Sequence, residues 1–298
     1  MSLAPPYLSK GDTIAIVASA RKISKEELKP TVNILKRWGL KVELGPNIYK
    51  EHNQFSGTDE ERKQDLQWAL DHKEAKAILI ARGGYGILRI IDNVEFTEFV
   101  KNPKWLVGYS DATILHCHIQ SLDICSLHAT MPINFTKHEK ATLSIKKLLF
   151  NQQQEYKIEP HELNRDGFAE AEVVGGNLSL LYALSGSPSE LDYRNKILFI
   201  EDLDEFLYHV DRMMLQLKRS RKLEQLAGLM VGGLSDMKDN SISFGKTAEE
   251  IIMEAVGEYP YPVCFNFPAG HIDENMAFYL GRRARLKVNK GKVQFYYT

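Results

Sequence analysis

Two patterns of apolar and polar positions alternate along the first half of this 298-residue chain. Short runs with few charges, at 12–20, 75–81 and 105–109, have the composition of buried strands, and 41–44 is a further short strand. Between them lie longer segments with apolar residues at helical spacing. Ser24-Lys25-Glu26-Glu27 is a capping-box pattern opening a helix towards Gly39, and Pro30 is expected to break or kink that helix. Leu66, Ala69 and Leu70 share a face of a helix over 59–72, and a further helix is predicted over 111–122. This alternation predicts a parallel sheet covered by helices on both sides.

The pattern lapses over the polar, Gln-rich stretch 151–166, which has the character of a linker. Beyond it, strands are predicted at 171–175, 196–201, 228–232 and 263–267, with helices from Leu178 and over 205–219 and 246–258. Residues 277–297 alternate as strands do, with Lys290-Gly291 as a hairpin turn. The expected organisation is an α/β chain: an N-terminal domain at 1–150, a linker at 151–166, and a C-terminal α/β domain at 167–298 with a terminal hairpin.

Composition narrows the function classes. Hydrophobic residues at 44% and charged residues at 26% are those of an ordinary globular protein. A net charge of -1 gives no ground for a nucleic-acid or membrane-surface partner. The basic run Lys218-Arg219-Ser220-Arg221-Lys222 falls at a predicted helix end, where cations complement the dipole. No apolar run is long enough to span a bilayer and the first residues lack a signal-peptide pattern, so a cytoplasmic protein is expected. Cys117, Cys125 and Cys264 are too scattered for a disulfide framework and are expected as buried, inert thiols.

Candidate chemistry gathers at strand ends. Ser110 follows a buried strand and opens a helix, with Gly108 and Ala112 two residues to either side. A nucleophile elbow needs small residues at those positions, and it aims the first helical amides at an oxyanion. A plain helix cap explains the same serine. Arg82-Gly83-Gly84-Tyr85-Gly86 follows another strand; it lacks a phosphate-loop ending and fits either a substrate clamp with an oxyanion donor or a structural turn. His116 and His118 lie about 200° apart on a helix and make a poor zinc pair. His271 stands in the loop Pro268-Ala269-Gly270-His271 after a strand. Glu201 ends an apolar strand, either as a buried functional carboxylate or as the first of several acids entering solvent. Spacing alone does not join Ser110, Glu201 and His271.

Taken in order, these segments resemble the LD-carboxypeptidase family of serine peptidases, which includes the microcin C immunity peptidases. The matching pieces are Gly11-Asp12-Thr13-Ile14 with Ala18-Ser19, Ala81-Arg82-Gly83-Gly84-Tyr85-Gly86 and Gly108-Tyr109-Ser110-Asp111. Gly175-Gly176-Asn177-Leu178, Ile200-Glu201-Asp202, Gly270-His271 and Leu280-Gly281 follow. The resemblance implies a flavodoxin-like or amidotransferase-like N-terminal domain carrying the nucleophile Ser110. The acid Glu201 and base His271 would come from the C-terminal domain. It further implies an oxyanion hole from the amides of Gly84 and Asp111, and substrate contacts from Arg82, Gly83, Tyr85 and Asn177, with Arg82 on a terminal carboxylate. The implied substrate is a murein tetrapeptide losing its terminal D-alanine at an L,D bond; another peptide or aminoacyl-nucleotide amide is the alternative, and a non-catalytic peptide- or sugar-binding module ranks lower. No metal or organic cofactor is implied, and family members are often homodimers. Ala129, Ile272 and Tyr279 depart from the family pattern and are expected near the pocket.

Overall fold

The buried apolar runs assemble into two six-stranded sheets. They are seen in a computed structural model that describes residues 2–289 and 291–298. The chain begins with β1 (Thr13–Val17), α1 (Lys25–Arg37), β2 (Lys41–Leu44), α2 (Asp59–Asp71) and β3 (Ala75–Ile80). It continues with α3 (Thr97–Lys101), β4 (Trp105–Gly108), α4 (Thr113–Ser121), β5 (Ser126–His128) and α5 (Glu139–Leu149). The second half runs β6 (Gly167–Asn177), α6 (Leu178–Ala183), β7 (Lys196–Leu203), α7 (Leu207–Arg219) and β8 (Gly228–Ser235). It closes with α8 (Ala248–Ala255), β9 (Val263–Cys264), β10 (Phe278–Leu280), β11 (Arg283–Asn289) and β12 (Lys292–Tyr297).

The first sheet has the order β10-β5-β4-β3-β1-β2, parallel from β5 to β2. The second has the order β12-β11-β6-β7-β8-β9, with β6 to β9 parallel. Uncharged strand runs and parallel pairing go together because both faces of such strands are covered. Every residue of β1 is buried.

Three local expectations change. Pro30 does not break α1, which starts at a complete Ser24–Glu27 capping box and continues to Arg37. A proline in the second turn forfeits one backbone hydrogen bond, and burial of Leu28, Thr31 and Leu35 offsets that loss. The strand predicted over 263–267 ends at Cys264, because Asn266 is left-handed at φ 59° and turns the chain. Residues 277–297 do not stay together: β10 pairs antiparallel with β5 in the first sheet, while β11 and β12 pair in the second. The turn residue Lys290 lies outside the described residues, between the paired Asn289 and Lys292.

The stretch 151–166 carries no helix or strand, yet it is held. Tyr156 donates to the Ala277 carbonyl at 2.9 Å, and Arg165 donates to the carbonyls of Tyr261 and Val256 at 3.0 Å. One apolar core runs from Ile114 and Leu115 of α4 into Val174, Leu178 and Leu198 beside the second sheet. All three cysteines are buried and free. Among the described residues, no helix is long and apolar enough to cross a membrane.

Candidate active site

Parallel strands bring loop starts together at their carboxyl ends, and both sheets direct those ends to one cleft. Its volume is ≈ 670 Å³, and Ser110, Gly84, Asn177, Asp202 and His271 are among its lining residues.

Ser110 stands directly after β4 at φ 59°, a left-handed conformation that costs an L-residue energy. A tight turn of this kind has no room for side chains on either flank. A Cβ on Gly108 would lie 2.9 Å from that of Ala112. Neither the short 3₁₀ turn at Ser110–Ala112 nor α4 receives a side-chain cap, so the hydroxyl does not serve as a helix cap. Its partner comes from the other half of the chain: Ser110 Oγ lies 3.2 Å from His271 Nε2.

His271 is fixed from three sides. Glu201 Oε2 accepts from His271 Nδ1 at 2.7 Å and from the His271 backbone amide at 3.0 Å. The Ser235 hydroxyl donates to the His271 carbonyl at 2.6 Å, and the Tyr109 ring lies 4.8 Å away. A carboxylate at Nδ1 holds the proton there and leaves Nε2 facing the serine as an acceptor. Burial alone would pull the His271 pKa down; the hydrogen bond and charge of Glu201 outweigh it, and the net shift is upward. Glu201 itself is fully buried at the end of β7 and does not emerge into solvent.

The glycine-rich turn packs against the elbow. A Cβ on Gly83 would sit 3.1 Å from Ser110 Oγ, so glycine keeps that approach open. The amides of Gly84 and Asp111 donate to no group among the described residues. The Asp111 carboxylate, also buried, accepts from the amides of Ile87 at 2.9 Å and of Gly86, tying the turn to the elbow. Burial pushes the Asp111 carboxyl up to about 7.

Two sequence-level models match the chain: one of the LD-carboxypeptidase N-terminal domain over residues 14–129, and one of the C-terminal domain over 170–286. The chain belongs to the LD-carboxypeptidase family. A probable murein peptide carboxypeptidase of Bacillus subtilis is 36% identical, over 95% of this chain and 91% of the relative. A crystal structure of muramoyltetrapeptide carboxypeptidase from Oxalobacter formigenes superposes with a TM-score of 0.85 at 26% identity, covering 95% and 97% of the two chains. The microcin C7 self-immunity protein MccF shares the fold, with a TM-score of 0.86 at 22% identity over 100% and 98% of the chains.

Within this LD-carboxypeptidase the remaining predicted residues divide. Tyr85 is exposed and lines the cleft. Arg82 lines it too, although its Nη1 donates to the Lys22 carbonyl at 3.3 Å and lies 3.6 Å from Glu27. The Asn177 side chain is spent on the protein: Nδ2 donates to Asp202 at 2.9 Å and Oδ1 caps α6 through Leu180. Its backbone amide donates to Thr113 Oγ1 at 3.1 Å, joining β6 to α4. Burial, then the Glu201 charge, raises Asp202 to about 6. His116 bonds to Ser126 and to the Gly108 carbonyl, and His118 to Ser189. Among the described residues no group of three or more His, Cys, Asp or Glu side chains is gathered as for a metal.

Ala129, Ile272 and Tyr279 are not among the residues lining the cleft, although the Ala129 amide donates to the Gly108 carbonyl of the elbow at 2.9 Å and Ile272 directly follows the lining His271. Ala129 is core, Ile272 faces Gly233, and Tyr279 donates to the Leu148 carbonyl from β10. Arg21, Asn134 and Lys137 do line it and went unnoticed in the sequence. Arg21 had a usable signal, since it directly follows the strand-like run 12–20. Lys137 had none.

Proposed function

We propose that this chain is a serine LD-carboxypeptidase that releases the terminal D-alanine of a murein tetrapeptide through an acyl-enzyme. The observation that carries the reading is the chain of hydrogen bonds Ser110–His271–Glu201 at one wall of the cleft. The names of the Bacillus and Oxalobacter relatives supply the substrate class.

Ser110 Oγ attacks the scissile carbonyl while His271 Nε2 takes its proton. Glu201 keeps the imidazole in the tautomer that can accept and stabilises the imidazolium. The amides of Gly84 and Asp111 receive the developing oxyanion. Collapse of the tetrahedral intermediate breaks the C–N bond, and His271 passes its proton to the leaving amine. Water, deprotonated by His271, then attacks the acyl-enzyme and frees Ser110. The nucleophile belongs to a domain at 1–150, and acid and base to one at 167–298, so the site forms where they meet. The enzyme works in the cytoplasm as a homodimer, a part of the reading that rests on family resemblance.

Mass spectrometry of a murein tetrapeptide incubated with the protein tests the reaction. Loss of one D-alanine, absent with Ser110→Ala, is the expected result. Intact tetrapeptide after prolonged incubation, with cleavage of an aminoacyl-nucleotide amide, would move the substrate to that class.

A further inference from the structure

The charges lining the cleft are unevenly matched. On the acidic wall Asp204 pairs with Lys238 and Glu205 with His209, both at 2.5 Å. Asp202 is buried and accepts from Asn177 and from the Ser179 amide. Of the three cations, Arg82 is drawn to Glu27 and the Lys22 carbonyl. Arg21 and Lys137 line the cleft, are exposed, and have no carboxylate partner among the described residues.

Position separates those two. In a sheet ordered β2-β1-β3-β4-β5, neighbouring connections diverge between β1 and β3, and ligands bind at the carboxyl ends of that pair. Arg21 lies beyond β1, and the glycine-rich turn lies directly beyond β3. The two are in contact: the Arg21 amide donates to the Gly83 carbonyl at 3.4 Å, and the Arg21 side chain lies across Gly84. A Cβ on Gly84 would come within 2.6 Å of Arg21 Cγ and 3.1 Å of Nε. Glycine at 84 therefore makes room for the arginine, while its amide donates to no group among the described residues.

An enzyme that removes one terminal residue has to sense the carboxylate at the chain end. That group is separated from the scissile carbonyl by one nitrogen and one Cα, roughly a single residue's span of ~3.8 Å. Its receptor must therefore stand beside the oxyanion donors. We propose that Arg21, lying over Gly84, is the receptor for the substrate's terminal carboxylate and hence the residue that makes the enzyme an exopeptidase. The assignment rests on the carboxypeptidase reading above, and it moves to Arg21 the role that sequence resemblance suggested for Arg82. A guanidinium fork matches two carboxylate oxygens in a plane, which an ammonium does not.

The test uses the full chain carrying Ser110→Ala as a non-turnover trap. Calorimetry compares a peptide ending in an L,D amide bond and a free carboxylate with the same peptide capped as its carboxamide. The trap is expected to prefer the acid by roughly tenfold or more. Adding Arg21→Ala should reduce that preference to about twofold or less, and Arg21→Lys should restore only part of it. Lys137→Ala removes an equal charge from the same cleft and should leave the preference standing. The proposal is overturned if acid and amide bind alike, if the preference survives Arg21→Ala, or if Lys137→Ala erases it equally. Acid preference through Arg21 with no turnover by the unmutated protein would support the receptor and sink the hydrolase reading. Absence of binding to both peptides would sink the receptor.

Discussion

Ser110 is held in a left-handed conformation worth on the order of 1–3 kcal/mol of strain, and its hydroxyl faces an imidazole instead of capping a helix. Replacing it with alanine should lower kcat by about 10³-fold or more while leaving the melting temperature unchanged or slightly higher. The pH dependence belongs to the same scale. His271 must be neutral to accept a proton, and Glu201 raises its pKa, so the rate should climb with pH through a limb above the ordinary histidine value. Glu201→Gln should shift that limb to lower pH and cut the plateau by about 10²-fold or more; a limb that stays in place would detach Glu201 from His271. Asp111 gives a stability test. A buried carboxyl with its pKa raised to about 7 stabilises the fold fully at low pH and loses that contribution as pH rises through neutrality. Urea midpoints at pH 5 and pH 8 should therefore lie closer together in Asp111→Asn, by on the order of 2–4 kcal/mol in free energy.

At the scale of elements, the β4–α4 junction and the turn after β3 form one device. Gly108 lets the chain reverse beside Ala112, and the Asp111 carboxylate grips the turn through Gly86 and Ile87. Gly108→Val should force the elbow open. The expected signature is a kcat loss of roughly 10- to 100-fold at nearly constant KM, the mark of an interaction made only in the transition state. A rise in KM alone would place the damage in the substrate pocket. Local pattern made the elbow legible: a strand, a glycine, a serine, a small residue, a helix. It could not show that the serine was uncapped, because an elbow and a cap share that spelling.

Across the whole molecule, the last strands bind the halves together. β10 pairs with β5, the Ala277 amide donates to Ser144 at 2.8 Å, and the core around α4 continues under the second sheet. Unfolding in urea should be a single transition by both tryptophan fluorescence and far-ultraviolet circular dichroism. A fragment of residues 1–150 should lack a cooperative melt, since it would expose the β5 edge and half of a shared core. A fragment with a sharp transition of its own would show the first sheet to be independent.

The α/β alternation, most strand and helix positions, the elbow and the glycine-rich turn were determined by the chain itself, because period, glycine placement and capping are local properties. The family was legible for a related reason, since its motifs keep their order. Tertiary structure alone decided what is non-local. It set Glu201 and His271 beside Ser110 across 91 and 161 positions, and it split the last strands, pairing β10 with β5 in the first sheet while β11 and β12 joined the second. It also laid Arg21 over Gly84 with no carboxylate partner among the described residues, while Arg82 found Glu27. No pattern in one segment records which strand ends will meet, and at this site the chemistry arises from that meeting.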